Sequence, residues 1–216
     1  MSRLRRMPPR QTRRRSYDQY CAAARALDAV GDRWTLLVVR ELLGGPRRYT
    51  DLHADLPGVS TDVLASRLKD MERDGLATRR RLPPPSAASV YELTDRGRGL
   101  RPVLTTLCEW GAPALAERRP TDAVRAHWFA IPLLRALEAP DRVALVEVRL
   151  DEGVFHLRLG HGAPSPYGDG PADAPDVRLT LDADTCTALA AGELTLAEGV
   201  GAGRIKVEGE AALLGV

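Results

Sequence analysis

Five side chains between Ser60 and Lys69 carry groups able to read nucleic-acid bases. Ser60, Thr61, Asp62, Ser66 and Lys69 place hydroxyl, carboxylate and ammonium groups in one short stretch. Such donors and acceptors pair with the base edges exposed in a duplex major groove. Arg67 lies among them, Arg47 and Arg48 stand ahead, and Arg79, Arg80 and Arg81 follow. A guanidinium that displaces a counterion from a phosphate adds affinity without reading sequence. Catalytic chemistry finds far less support. His53, His127, His156 and His161 fall on separate expected elements, and the His156/His161 spacing brings no third metal ligand. There is no nucleophile elbow, no phosphate-cradling glycine loop and no carboxylate pair placed for acid–base work. The expectation is a protein that is not an enzyme and needs no metal or cofactor.

These groups need a rigid element to present them. In STDVLASRLKDMERDGL, residues 60–76, Leu64, Leu68 and Met71 recur at i, i+4 and i+7 and make one apolar stripe. Ser60 precedes the run as N-cap, and Gly75 ends it. Asp62, Ala65, Ser66, Lys69 and Arg73 fall away from the stripe at about 100° per residue. A helix with a buried back and a compact polar front fits a major groove. Alone, this pattern also describes an ordinary solvated helix face.

The preceding chain supplies the context. Tyr20, Ala24, Leu27 and Val30 predict a first helix over 17–30, and Asp32 caps a second over 33–43. Gly44-Gly45-Pro46 stops it, and a third helix is expected to reach Leu56. Helix, turn and polar-fronted helix make the helix-turn-helix plan. Residues 77–82 and 90–94 then predict two strands joined by Pro83-Pro84-Pro85-Ser86, a wing, before one long helix over 95–117 capped by Thr94.

Charge divides the chain. Residues 1–120 hold 23 Lys+Arg against 14 Asp+Glu, a net +9, whereas 121–216 hold 8 against 15, a net −7. The first half is suited to a polyanion and the second is repelled by one. Residues 1–16, with seven arginines, read as a disordered basic arm able to follow phosphates. No apolar run approaches the roughly 20 residues needed to span a bilayer. Three separated cysteines, Cys21, Cys108 and Cys186, point to a reducing, cytoplasmic setting.

Cys21, Gly31-Asp32-Arg33-Trp34, Arg48-Tyr49-x-Asp51-Leu52, Leu64-x-x-Arg67-Leu68 and Tyr91-x-Leu93-Thr94-x-x-Gly97 occur in order. Together they resemble the HxlR-type winged helix-turn-helix transcriptional regulators over about Tyr17 to Trp110. The resemblance implies a homodimer on a near-palindromic operator, with the recognition helix in the major groove and the wing at the adjacent minor groove. It assigns dimerisation to the first helix and the helix after the wing. It also implies, in some relatives, a redox role for the cysteine matching Cys21. Placed beside Tyr20 and Ala24 on an apolar face, Cys21 is favoured as a small hydrophobe, with thiol switching as the alternative. The wing tip, Ser86-Ala87-Ala88-Ser89, lacks a basic residue, which leaves minor-groove contact to Arg79–Arg81 or the arm.

The second half is expected to begin with a helix over 124–137, kinked or split at Pro132. A hairpin over 142–159 follows, then a mobile loop over 163–176, a strand at 177–181, a helix capped by Asp184 and a last strand near Ile205. The run PDVRLTLDADTCTALAAGELTLAEGVGAGRIKVEGEAALL resembles sterol carrier protein type two domains. That resemblance makes the C-terminal domain a candidate sensor of an apolar small molecule, with its binding residues unassigned.

The expected architecture is α+β: a disordered arm over 1–16, a winged helix-turn-helix and dimerisation domain over 17–119, and a smaller sterol-carrier-like domain over 120–216. The function it implies is a cytoplasmic DNA-binding repressor, with a hydrophobic-ligand carrier using its winged half for protein contacts as the alternative.

Overall fold

The computed structural model describes residues 16–86, 88–116, 119–137, 142–160 and 165–216. Of the basic arm expected over 1–16, residues 1–15 lie outside them, as does His161. The first helix, α1 (Ala22–Val30), is shorter than its periodicity suggests. The Asp28 carboxylate accepts from the Tyr17 amide at 3.0 Å and the Ser16 hydroxyl at 3.0 Å, holding the lead-in segment outside the helix. Helix α2 (Thr35–Leu43) starts where Asp32 accepts from the Trp34 and Thr35 amides at 2.8 and 3.0 Å.

Strand β1 (Arg47–Arg48), helix α3 (Tyr49–Ala54) and helix α4 (Thr61–Arg73) follow. The wing consists of β2 (Ala77–Arg81) and β3 (Ser89–Leu93). The sheet order is β1-β3-β2, all antiparallel, so two residues ahead of α3 supply a strand that sequence periodicity did not disclose. Leu64, Leu68 and Met71 of α4 are buried with Val38, Leu42, Leu52 and Leu56, the stripe read from their spacing. Each such side chain contributes roughly 1.5–3 kcal/mol when removed from water.

The expected single helix after the wing is two. Thr94 caps α5 (Asp95–Arg98), its hydroxyl accepting from the Gly97 amide at 3.2 Å. Helix α6 (Arg101–Gly111) then restarts with Pro102 in its first turn, where a missing amide hydrogen costs little. Gly97 abuts the Leu76 carbonyl, and a Cβ at this position would collide with that oxygen.

In the second half, the expected 124–137 helix is a 3-10 turn, Ala126–Phe129, leading into α7 (Ala130–Ala136). Pro132 occupies the first turn of α7 and therefore does not break it. Strands β4 (Ala144–Leu150), β5 (Gly153–Leu159), β6 (Tyr167–Asp169), β7 (Val177–Thr180) and β8 (Lys206–Gly209) form a sheet ordered β6-β5-β4-β7-β8. Only β4 and β7 run parallel among its described pairs. Val146 faces Leu157 and Val177 across its neighbours, and Val148 faces Phe155 and Leu179, giving one apolar layer.

Two expectations fail here for identifiable reasons. The 163–176 stretch contains β6, because the fully buried Tyr167 anchors a segment whose glycines and prolines suggest only a loop. Asp182, not Asp184, caps α8 (Ala183–Ala191), accepting from the Thr185 amide at 2.7 Å. Helix α9 (Leu196–Gly201), held by the Thr195–Glu198 capping box, was also not read from the sequence.

Candidate nucleic-acid interface

Helix α4 is fixed at both ends and open along one side. The Ser60 hydroxyl accepts from the Val63 amide at 3.3 Å, and the Tyr49 hydroxyl donates to the Thr61 carbonyl at 2.8 Å, binding α3 to the start of α4. Gly75 leaves the helix with φ +68°. Ser60, Thr61, Asp62, Ser66 and Lys69 are all exposed, so five of the expected reading residues share one accessible surface. The second half does not cover them.

The guanidinium groups separate into free and committed sets. Arg67 is committed: it pairs with Asp70 at 2.7 Å and with Asp32 at 3.3 Å, linking α4 to the turn before α2. Its charge is matched within the fold. Arg47 is also committed. Its guanidinium lies 3.1 Å from Asp169 and 3.7 Å from Asp55, mostly buried and turned toward the second half. Once β1 joins the wing sheet, alternation along the strand directs Arg47 and Arg48 to opposite sides. Arg48 remains exposed. On the wing, Arg80 is paired with Glu92, with Nη2 at 3.1 Å. Arg79 stacks over Tyr91 at 6.0 Å, and Arg81 is exposed.

Cys21 is not packed on an apolar face. It stands exposed at the N-terminus of α1, since the helix expected from residue 17 begins only at Ala22, directly after it. The Ala24 and Ala23 amides there draw its pKa below the usual thiol value, although no hydrogen bond caps the helix through the sulfur. Cys108 is half-buried and raised by that burial, while burial pushes Cys186 up to about 12.

A polar cluster between the halves was invisible in the sequence. Glu41, in the last turn of α2, is 0% exposed, and His127 is 3% exposed. His127 Nε2 lies 2.7 Å from Glu41 Oε2, and its Nδ1 lies 3.4 Å from Asp169. Glu41 also accepts from the Trp128 indole at 3.0 Å and pairs with Arg40 at 2.7 Å. Burial opposes the charged imidazole, but the Asp169 and Glu41 carboxylates outweigh it and raise its pKa to about 9. The His127 hydrogen bond in turn lowers Asp169 to about 2. Beside this network, the Tyr167 hydroxyl donates to the Arg40 carbonyl, and the Tyr167 ring fills the space beside Gly44.

Glu41, Asp55 and His127 bring potential ligand atoms within 4.8 Å of one another. Arg40 already neutralises Glu41, and Arg47 and Arg125 approach Asp55. Three guanidinium groups make this an ion-pair junction, not a cradle for a cation. Long-range pairing of this kind has no signature in local periodicity. The one available hint was an apolar-flanked glutamate, Glu41, in the middle of VVRELL.

The geometry is that of a helix-turn-helix with a wing, and comparison with known proteins agrees. Residues 29–119 match the HxlR-like helix-turn-helix family, and residues 132–215 match the SCP-2 sterol transfer family. An uncharacterized HTH-type transcriptional regulator, YvaP of Bacillus subtilis, is 37% identical over 86 residues, 40% of this chain and 80% of that protein. The chain belongs to the HxlR-like helix-turn-helix family. It is a transcriptional regulator with a DNA-binding helix-turn-helix, joined to an SCP-2-like sheet domain. The HTH-type transcriptional regulator YodB of B. subtilis is 32% identical over 85 residues, 39% of this chain and 76% of that protein. An uncharacterized regulator of Mycobacterium tuberculosis is 38% identical over 90 residues, 42% of this chain and 56% of that protein. No helix among the described residues is long and apolar enough to cross a membrane.

Proposed function

We propose that this HxlR-like protein is a cytoplasmic, non-enzymatic repressor that binds a near-palindromic operator as a homodimer and answers to an apolar small molecule. The observation that carries this reading is the open face of α4. Ser60, Thr61, Asp62, Ser66 and Lys69 stay exposed while the second half seats against α2, α3 and α6. In this arrangement α4 enters the major groove and Lys69 and Ser66 donate to base edges. Arg48, Arg79, Arg81 and the basic arm provide phosphate contacts. Arg47, Arg67 and Arg80 serve to hold the fold.

Dimerisation is supported by large apolar groups left exposed among the described residues. Val103, Leu107 and Trp110 recur at i, i+4 and i+7 on α6 and are exposed, as is Leu27 of α1. An exposed apolar stripe of this kind marks a contact surface. A two-fold assembly through it would space the two α4 helices for half-sites about 34–36 Å apart or a multiple of that.

Selection of bound duplexes from a random pool with the full-length protein tests this directly. An enriched inverted repeat is the expected result. Enrichment of no duplex, or of a single unrepeated half-site, would overturn the operator reading and favour a carrier whose winged half contacts only proteins.

A further inference from the structure

The sequence places a candidate ligand site inside the sterol-carrier-like half, but the structure offers a better one between the halves. A cleft of about 830 Å³ opens between α2 and α6 on one side and α7 and α8 on the other. Its volume is that of a drug-sized ligand site. Trp34, Leu37, Trp128, Phe129 and Pro132 furnish its apolar walls. Trp128 is a fixed wall: its indole donates to Glu41, and the Arg40 guanidinium lies 4.4 Å from the ring centroid.

Charge selects the occupant. Of the arginines lining the cleft, Arg40 is paired with Glu41 at 2.7 Å and Arg135 with Glu109 at 2.8 Å. Arg33 has no carboxylate partner among the described residues and rests only over Trp34, 5.5 Å from the ring centroid. The lining carboxylates have other work. Asp122 accepts from the Arg119 amide at 2.9 Å, and Asp184 stands in the first turn of α8, where a negative charge favours the helix. Arg33 is therefore the one guanidinium of the lining without a carboxylate partner among the described residues, and it lies beside an aromatic wall.

We infer that this interdomain cleft is a binding site for a largely apolar, ring-containing small molecule bearing one anionic group, with Arg33 as the counter-ion. The rings lie against Trp34, Trp128 and Phe129, and the anion faces Arg33. The occupant touches α2 of the DNA-binding half and α7 and α8 of the second half at once. A ligand that favours one arrangement of these helices shifts their relative placement by its difference in affinity. That regulatory consequence rests on the reading of the protein as an effector-controlled repressor; the binding itself does not.

Two fluorescent probes that differ in charge test the site on the full-length protein without DNA. They are 8-anilinonaphthalene-1-sulfonate and uncharged N-phenyl-1-naphthylamine. We expect saturable binding of the sulfonate near one per chain, quenching of tryptophan emission, and affinity at least fivefold above that of the neutral probe. Arg33→Gln should remove that preference. Ala190→Phe and Ala112→Phe, which fill the cleft from opposite halves, should each weaken both probes tenfold or more with melting transitions retained. Val143→Ser, at an exposed apolar position outside the cleft, should change neither affinity.

Equal affinity for the two probes, or an unchanged preference in Arg33→Gln, would overturn the anionic assignment. Unchanged binding in a folded cleft-filled variant, or loss in Val143→Ser, would overturn the site. A failed operator selection leaves this binding untouched, and a failed titration leaves the regulator reading intact.

Discussion

His127 Nε2 stands 2.7 Å from Glu41 Oε2, joining the last turn of α2 to the start of the second half across 86 residues of chain. Both groups are withdrawn from water, so the contact is a junction whose charge state sets how firmly the halves are held. Replacing both partners with apolar groups of similar shape can be neutral, but removing one leaves a buried charge alone. This asymmetry gives the junction a clear experimental signature.

Stability should depend on pH in a defined direction. His127 has a folded pKa of about 9, above the 6.5 of the free side chain. Its contribution is therefore complete below pH 6.5 and is lost as pH rises through 9. Asp169 is depressed from 3.8 to about 2, so its contribution is present above pH 3.8 and is lost as pH falls through 2. Thermal melts should show a plateau between about pH 4 and 6.5, then a decline toward pH 9–10. His127→Gln should flatten the alkaline decline. Identical alkaline limbs in the two proteins would remove His127 from the account.

Glu41→Ala should destabilise by about 3–5 kcal/mol, because it removes the buried partner of His127 Nε2 and the acceptor of the Trp128 indole. His127→Leu combined with Glu41→Leu should recover a good part of that loss. Denaturant unfolding of the single and double variants measures the coupling.

Phosphate contact should separate from structural charge in the salt dependence of duplex binding. Arg48→Ala and Arg81→Ala should each lower the slope of log K against log salt by roughly 0.9. Arg47→Ala should leave the slope unchanged and lower the melting temperature instead. Lys69→Glu should weaken binding to a selected operator tenfold or more without changing the melt. Equal slopes for the Arg48 and Arg47 variants would show that the division by pairing has no bearing on DNA.

Thiol reactivity should rank by exposure and electrostatics. Iodoacetamide should modify Cys21 first, Cys108 more slowly, and Cys186 only on unfolding, as read by mass spectrometry of tryptic peptides. Preferential labelling of Cys108 would contradict the placement of Cys21 at the open end of α1.

Local pattern carried the winged half almost completely. The 3.6-residue spacing of Leu64, Leu68 and Met71, the Ser60 cap and the Gly75 exit are each decided by neighbours a few residues away, which is why they were legible. The errors arose where a distant group intervened. Asp28 captured residues that would otherwise have extended α1, exposing Cys21. The Leu76 carbonyl against Gly97 and the restart at Pro102 divided the helix after the wing. Tyr167 drew a strand out of a glycine-rich stretch because its ring is received beside α2.

The reading face was legible as a set of exposed polar groups on one helix, whereas the fate of the arginines was not. Arg47 and Arg48 are adjacent and identical in type, yet the first meets Asp169 from the other end of the chain and the second meets solvent. No periodicity distinguishes them. The pairing of β1 with β3 and the docking of the second half do, and that docking also creates the cleft.

Gly44 has no side chain, and the edge of the Tyr167 ring comes within 2.7 Å of where a Cβ would stand. The DNA-binding half is thus cut to receive a ring that the chain delivers more than a hundred residues later. A methyl group in that notch would press on the Tyr167 ring at the seam between the two halves. A single added carbon at Gly44 would therefore bear first on how the two halves seat against each other, through a ring that the later half lends to the earlier one.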